Sequence, residues 1–147
     1  MEYVLEKERS KLEIVSLDMI VREDSFVRVI DDFVDGIIKD QFSFKKSYCP
    51  INEKTYNPLT LIKLFLYGYV TDVKSSRKLA QLAIVNLEVI WLVKGVQLDY
   101  RALIDFREKN SEAIKKIIAM FMDFCTNDLD LETGNLVLDV YKSSRRR

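Results

Sequence analysis

The chain has 147 residues, 48% of them hydrophobic, and its 23 Lys and Arg balance 23 Asp and Glu. This length supports one domain with a buried core, and this apolar content excludes a disordered chain. The sequence contains no His, which excludes His-based catalytic triads and most zinc sites, and Cys49 and Cys125 lack disulfide or metal spacing. With only 4 Gly and 2 Pro, a helical fold is favoured over an all-β one.

The N-terminal third begins with a charged segment. Residues 1–20 are expected to form an arm, partly extended around residues 14–17. An amphipathic helix is predicted over residues 23–38, because apolar residues recur there at spacings of three and four. Its apolar stripe comprises Phe26, Val29, Ile30, Phe33 and Ile37. Residues 39–57 are then predicted to form an aromatic-rich loop over the core.

The next helix is predicted to be the central one. Asn57 is a good N-cap, and the fixed φ of Pro58 suits the first helical position. The segment 58–71 is apolar nearly all round, which is typical of a buried helix. No stretch approaches the roughly 20 apolar residues of a membrane span, so we expect a cytoplasmic protein.

Capping residues predict a series of shorter helices after the central one. Ser75 or Ser76 starts a helix that carries Arg77, Leu79, Leu82 and Ala83, and Asn86 starts another over 87–93 that Gly95 closes. Asp99 caps a helix over 100–109 with Leu103, Ile104 and Phe106 inward. The pair Asn110-Ser111 caps the last helix, over 112–126. Residues 136–140 have the character of an isolated strand.

Together these elements predict an all-α fold, a multi-helix orthogonal bundle with a helix-turn-helix-like segment and a short extended C-terminal tail. We divide the chain into the arm at 1–20, a helical domain at 21–127 and a tail at 128–147. The first 57 residues carry 9 Lys and Arg against 12 Asp and Glu, whereas residues 74–116 carry 9 against 5. The positive charge therefore lies in the second part of the helical domain.

Residues 74–109 are a candidate DNA-binding segment. DNA binding needs cations that reach phosphates, and this segment holds such cations together with a helix start that offers hydroxyl and free N–H groups. The candidate contacts are Lys74, Ser75, Ser76, Arg77, Lys78, Arg101, Arg107 and Lys109. The alternative is an ordinary solvated face of a helical bundle, since any charged helix has a similar pattern.

Other residue groups favour structural interpretations. Asp31, Asp32 and Asp35 lie on one amphipathic helix, and no converging carboxylates complete a two-metal site. The aromatic residues Phe65, Tyr67, Tyr69, Trp91 and Phe106 are more typical of a core than of a base-stacking platform, with Trp91 and Tyr100 at the edge of that core. The run 145–147 is either a solvated tail or a phosphate contact.

A string of motifs over about residues 20–140 resembles the N-terminal domain of insertion-sequence DDE transposases. The string consists of the segment 58–69, Ser75-Ser76-Arg77-Lys78-Leu79, Asn86-Leu87-Glu88, Trp91-Leu92, Gly95, Asp99 and Asp105-Phe106-Arg107. In this family a helical end-recognition domain precedes a ribonuclease-H-like core, which opens with a strand ending in Asp-Gly. Leu98 stands where the family usually has Pro.

The resemblance places Asp139, at the end of the segment 136–139, at the first catalytic carboxylate. Val140 stands in place of the usual Gly, and the other two carboxylates have no counterpart, so the resemblance implies a chain truncated before the core, with Asp139 vestigial. We expect no metal site and no cofactor here; Mg²⁺ is expected only in an intact family member.

The expected function is therefore recognition of double-stranded DNA at insertion-element ends, in association with the nucleoid and without catalysis. The alternatives are an interaction or dimerisation module that regulates a full-length transposase, and a non-functional truncated product.

Overall fold

The structure, a computed structural model, describes residues 2–45 and 55–128. Over these residues it is helical and contains no strand, so the predicted all-α fold class is confirmed. The helices are α1 (Leu17–Ile20), α2 (Phe26–Phe33), α3 (Pro58–Thr71), α4 (Ser76–Val85), α5 (Leu87–Leu92), α6 (Tyr100–Lys109) and α7 (Ser111–Asp123). Short π-helical turns extend α2 over Val34–Ile38 and α7 over Phe124–Asp128.

Four predicted N-caps are present and fix the helix starts. The side chains of Asn57, Ser75, Asn86 and Asp99 each accept a hydrogen bond from a backbone N–H two or three residues further on. Each bond satisfies a donor that the first helical turn leaves without a partner. Ser25 caps α2 in the same way, and α2 therefore begins at Phe26 rather than at residue 23 as predicted.

Asn110 stands at the predicted N-cap position of the last helix, but its side chain makes no capping bond. Instead it is buried, its oxygen accepts from the Lys45 N–H at 2.8 Å, and its amide donates to the Lys45 carbonyl at 2.9 Å and to the Phe106 carbonyl at 3.1 Å. Asn110 thus fastens the loop after α2 to the end of α6.

Helix α3 lies at the centre, as predicted. Every residue from Leu61 to Gly68 is buried, and α3 contacts α2, α5 and α7. Phe65 stacks on Phe106 with ring centroids 6.1 Å apart. Phe33 of α2 packs against Phe121 of α7 at 5.1 Å. Aromatic rings therefore form the core between the helices, which is the interpretation that the sequence favoured.

Residues 2–16 are exposed and lie outside the bundle, and α1 joins them to it. Ser16 is extended, as predicted for the stretch 14–17, but Leu17 is not, because Leu17–Ile20 is a helical turn. The Trp91 indole N–H donates to an Asp18 carboxylate oxygen at 2.7 Å, and Arg28 donates to the carbonyls of Asp18 and Val21. These bonds attach α1 to α5 and to the start of α2.

The prediction that Ile104 points inward is wrong. It is 40% exposed, because the buried stripe of α6 is formed by Ala102, Leu103 and Phe106. The predicted strand 136–140, with Asp139, lies outside the described residues, as do Cys49 and the run 145–147.

Candidate nucleic-acid interface

A tight turn between α3 and α4 brings the first basic residues to the surface. Asp72 ends α3 in the left-handed conformation at φ 59°, and the Val73 N–H donates to the Gly68 carbonyl at 2.7 Å. A Cβ at position 68 would lie 2.6 Å from the Val73 carbonyl oxygen, so this close approach requires glycine. Lys74 and Ser75 follow this turn and are exposed.

The exposed side of α4 is basic and polar. Arg77, Lys78 and Gln81 are exposed, whereas Leu79, Ala80 and Ala83 are buried. Helix α4 contains no acidic residue. Within the part of the chain that the structure describes, neither Lys74 nor Lys78 has an ion-pair partner. We call Lys74, Ser75, Arg77, Lys78 and Gln81 the α4 face.

Two arginines hold this face against α6. Arg77 donates to the Tyr100 hydroxyl at 2.9 Å, and its guanidinium lies 4.5 Å from the centre of that ring. Arg107 donates to the Lys74 carbonyl at 3.2 Å and lies 4.9 Å from the centre of the Phe65 ring. Partial burial lowers the pKa of the Arg107 guanidinium from its ordinary value. The backbone at the start of α4 is therefore fixed by side chains of α6.

The other candidate residues lie in different surroundings. Arg101 forms a bidentate salt bridge with Asp99, with N–O distances of 3.0 and 2.8 Å. Lys109 forms a salt bridge with Asp105 at 3.0 Å. Both cations are thus partly neutralised by their own helix. Ser76 is only 7% exposed, and its hydroxyl has no hydrogen-bond partner among the residues that the structure describes. This hydroxyl lies inside the fold, away from the exposed α4 face.

Of the candidate residues, the structure brings Lys74, Ser75, Arg77 and Lys78 together on one surface. Gln81 joins them and was missed by the sequence reasoning, which considered charged and hydroxyl side chains only. The spacing from Arg77 and Lys78 to Gln81 is four and three residues, which places all three on one helix side. That spacing would have identified it.

The acids on α2 have a structural partner. Lys63 of α3 is buried, and its ammonium lies 2.7 Å from Asp31 and 3.0 Å from Asp35. Among residues 2–45 and 55–128 there is no group of three or more His, Cys, Asp or Glu that could hold a metal ion. None of the helices described there is long and apolar enough to span a membrane.

The family model described as Transposase domain (DUF772) matches residues 15–109. The chain belongs to this transposase-domain family. The resemblance seen in the sequence is thereby confirmed at the level of the family. The matched part of this transposase domain runs from the end of the arm through α6, so it contains the complete α4 face. No curated protein and no solved structure matches the chain.

Proposed function

We propose that this transposase-domain protein binds double-stranded DNA at the ends of its mobile element, with the α4 face against the duplex. The observation that carries the proposal is that Lys74 and Lys78 flank a helix start and have no ion pair within the described residues. Cations at the positive end of a helix dipole favour contact with phosphate oxygens.

Charge supports α4 rather than α6 as the helix that approaches the DNA. The exposed side of α6 includes Glu108 and the half-buried Asp105, and acids there repel the phosphate backbone. Helix α4 has no acid, and Arg77 is already positioned by its bond to Tyr100. We therefore assign α4, α5 and α6 to a helix-turn-helix-like unit in which α6 supports α4.

Gln81 supplies a group suited to base recognition. It lies one turn beyond the basic residues on the α4 face, and a glutamine amide pairs with the two major-groove groups of adenine. In this arrangement Lys74 and Lys78 position the protein on the phosphates, and Gln81 contacts base edges. The role proposed for this domain is recognition of DNA, since in the family that the sequence resembles a helical end-recognition domain precedes a separate catalytic core. DNA binding would place the protein on the nucleoid.

Fluorescence anisotropy with a labelled duplex of the element's terminal repeat tests the proposal. We expect saturable binding that weakens with salt, and a loss of affinity of about tenfold or more in the double variant Lys74→Ala/Lys78→Ala. The matched control is Lys39→Ala/Lys116→Ala, which removes the same charge from exposed positions outside the α4 face. No binding at low salt, or an equal loss in both variants, would refute the proposal.

A further inference from the structure

The N-terminal arm exposes large apolar side chains. Tyr3, Val4 and Leu5 are 92–95% exposed, and Leu12 and Ile14 are fully exposed within the same segment. The ion pair of Lys7 with Glu13 at 3.4 Å and the hydrogen bond from the Lys11 N–H to the Glu8 carbonyl both lie within the arm. Exposure of such apolar side chains to water is unfavourable in free energy unless another surface covers them.

An apolar groove lined partly by cations lies on the helical body of the protein. It has a volume of about 410 Å³ and is formed by α3, α4, α6 and α7. This volume lies in the range of sites that enclose side chains or small ligands. Its floor is apolar, and three cations and one acid stand among its lining residues. The floor includes Phe65, Leu79, Ile114 and Ile118, and the charged residues are Asp72, Lys74, Arg107 and Lys115.

The start of the arm complements this groove in both apolarity and charge. The apolar residues Tyr3, Val4 and Leu5 are enclosed between Glu2 and Glu6. Neither glutamate has an ion-pair partner within the described residues. In an extended segment the side chains of Tyr3 and Leu5 point to the same side, so both can enter one apolar groove. Glu2 and Glu6 point to the other side at the two ends of the segment, where their long side chains can reach the cations at the rim of the groove.

We propose that the groove binds residues 2–6 of a second copy of this chain, and that two copies exchange arms about a twofold axis. The arm leaves the body beside α5, where Asp18 is bonded to Trp91, whereas the groove contains no residue of α1, α2 or α5. An arm that extends away from its own body and a vacant groove on every copy give the same contact twice, as an isologous dimer requires.

The area available fits a dimer of ordinary size. The three exposed apolar side chains within residues 2–6 offer roughly 100–150 Å² each, so two arms and the surfaces that receive them reach about 1,200–1,800 Å², within the 1,200–2,000 Å² of a standard interface. The groove shares Lys74 with the α4 face, but the proposal does not depend on DNA binding, because the apolar floor and Lys115 lie outside that face.

Sedimentation velocity of the full chain tests the contribution of the arm. We expect the wild type to dimerise and Leu5→Asp to weaken the dimer by about tenfold or more. Leu12→Asp is the matched control, equally exposed in the same arm but outside residues 2–6, and it should leave the dimer unchanged. Because these positions are exposed, circular dichroism should show no change of fold. A wild type that stays monomeric up to about 100 µM, or a Leu5→Asp dimer of wild-type strength, overturns the proposal.

A charge exchange tests which surface receives the arm. Lys115 is 76% exposed and lies 3.9 Å from Glu112, so Lys115→Glu should weaken the dimer without unfolding the chain. Adding Glu6→Lys to Lys115→Glu should restore dimerisation, whereas Lys116→Glu alone should have no effect. Failure of this rescue overturns the groove assignment. Cross-linking in a mixture of isotope-labelled and unlabelled chains should join the arm to α7 of the other copy; links found only within one chain contradict the exchange.

Discussion

The buried ion-pair network of Lys63 predicts an asymmetric response to mutation. The Lys63 side chain is 5% exposed within the most apolar helix, and its ammonium contacts Asp31 at 2.7 Å and Asp35 at 3.0 Å. Asp31 is 22% exposed and Asp35 is 47% exposed. Water therefore solvates the carboxylates far better than it solvates the ammonium.

The size of each effect follows from this difference in burial. The variant Asp31→Asn/Asp35→Asn leaves a buried ammonium without a counter-charge, and we expect it to lower the free energy of unfolding by about 3 kcal/mol. Lys63→Met replaces the ammonium by an apolar chain of similar volume and leaves two carboxylates that water reaches. We expect its stability to lie within about 1 kcal/mol of the wild type, or above it.

Urea unfolding followed by circular dichroism at pH 7 measures both free energies. A loss of about 3 kcal/mol is a large part of the 5–15 kcal/mol that stabilises a typical domain, so the double variant should unfold at a clearly lower urea concentration. Adding Lys63→Met to the double variant should recover most of the loss. The reasoning is refuted if Lys63→Met is destabilised as much as Asp31→Asn/Asp35→Asn.

Three further predictions concern buried groups and one close backbone contact. Burial, with a smaller contribution from the charge of Glu88, raises the pKa of Tyr67, and burial raises the pKa of Cys125 to about 12. The native state then keeps protons that the unfolded state releases. Stability should therefore fall by up to about 1.4 kcal/mol per pH unit above about pH 9 for Cys125, and by a similar slope above about pH 10 for Tyr67. A urea midpoint that stays constant to pH 11 would contradict this. In a Cys49→Ser variant, the Cys125 thiol should react with a disulfide reagent only after unfolding, and rapid reaction of the native protein would show that the thiol is accessible. Gly68→Ala should cost about 1–3 kcal/mol because its Cβ would meet the Val73 carbonyl, whereas Gly36→Ala, with nothing within 4 Å, should not destabilise; equal urea midpoints for the two variants would argue against the contact.

Local chemistry explains why most helix starts could be predicted from the sequence. A cap such as Asn57 or Asp99 bonds to a backbone N–H only two residues away, so its role depends on neighbours in the chain. Asn110 has the same side-chain type, but its bonds to Lys45 join positions 65 residues apart. No local pattern reveals such a tertiary bond, and for this reason the sequence predicted the N-cap position of Asn110 but not the bonding of its side chain.

The sequence predicted which segment carries the candidate interface, but not which of its side chains form one exposed surface. Composition located the positive charge, and the basic residues at the start of α4 do share one side. The sequence could not tell that Arg101 is paired with Asp99, because that depends on rotamers around the cap. It also could not tell that Ser76 is turned inward while its neighbour Ser75 stays exposed, since that difference depends on the packing of α4.

The most direct test of the central claim is the salt dependence of DNA binding by single variants. If the α4 face contacts phosphates, the logarithm of the binding constant should fall linearly with the logarithm of the salt concentration, and Lys78→Ala should reduce that slope by about 1. Lys116→Ala should leave the slope at its wild-type value. A slope that Lys78→Ala does not change, or that Lys116→Ala changes equally, would contradict the assignment of the α4 face to DNA.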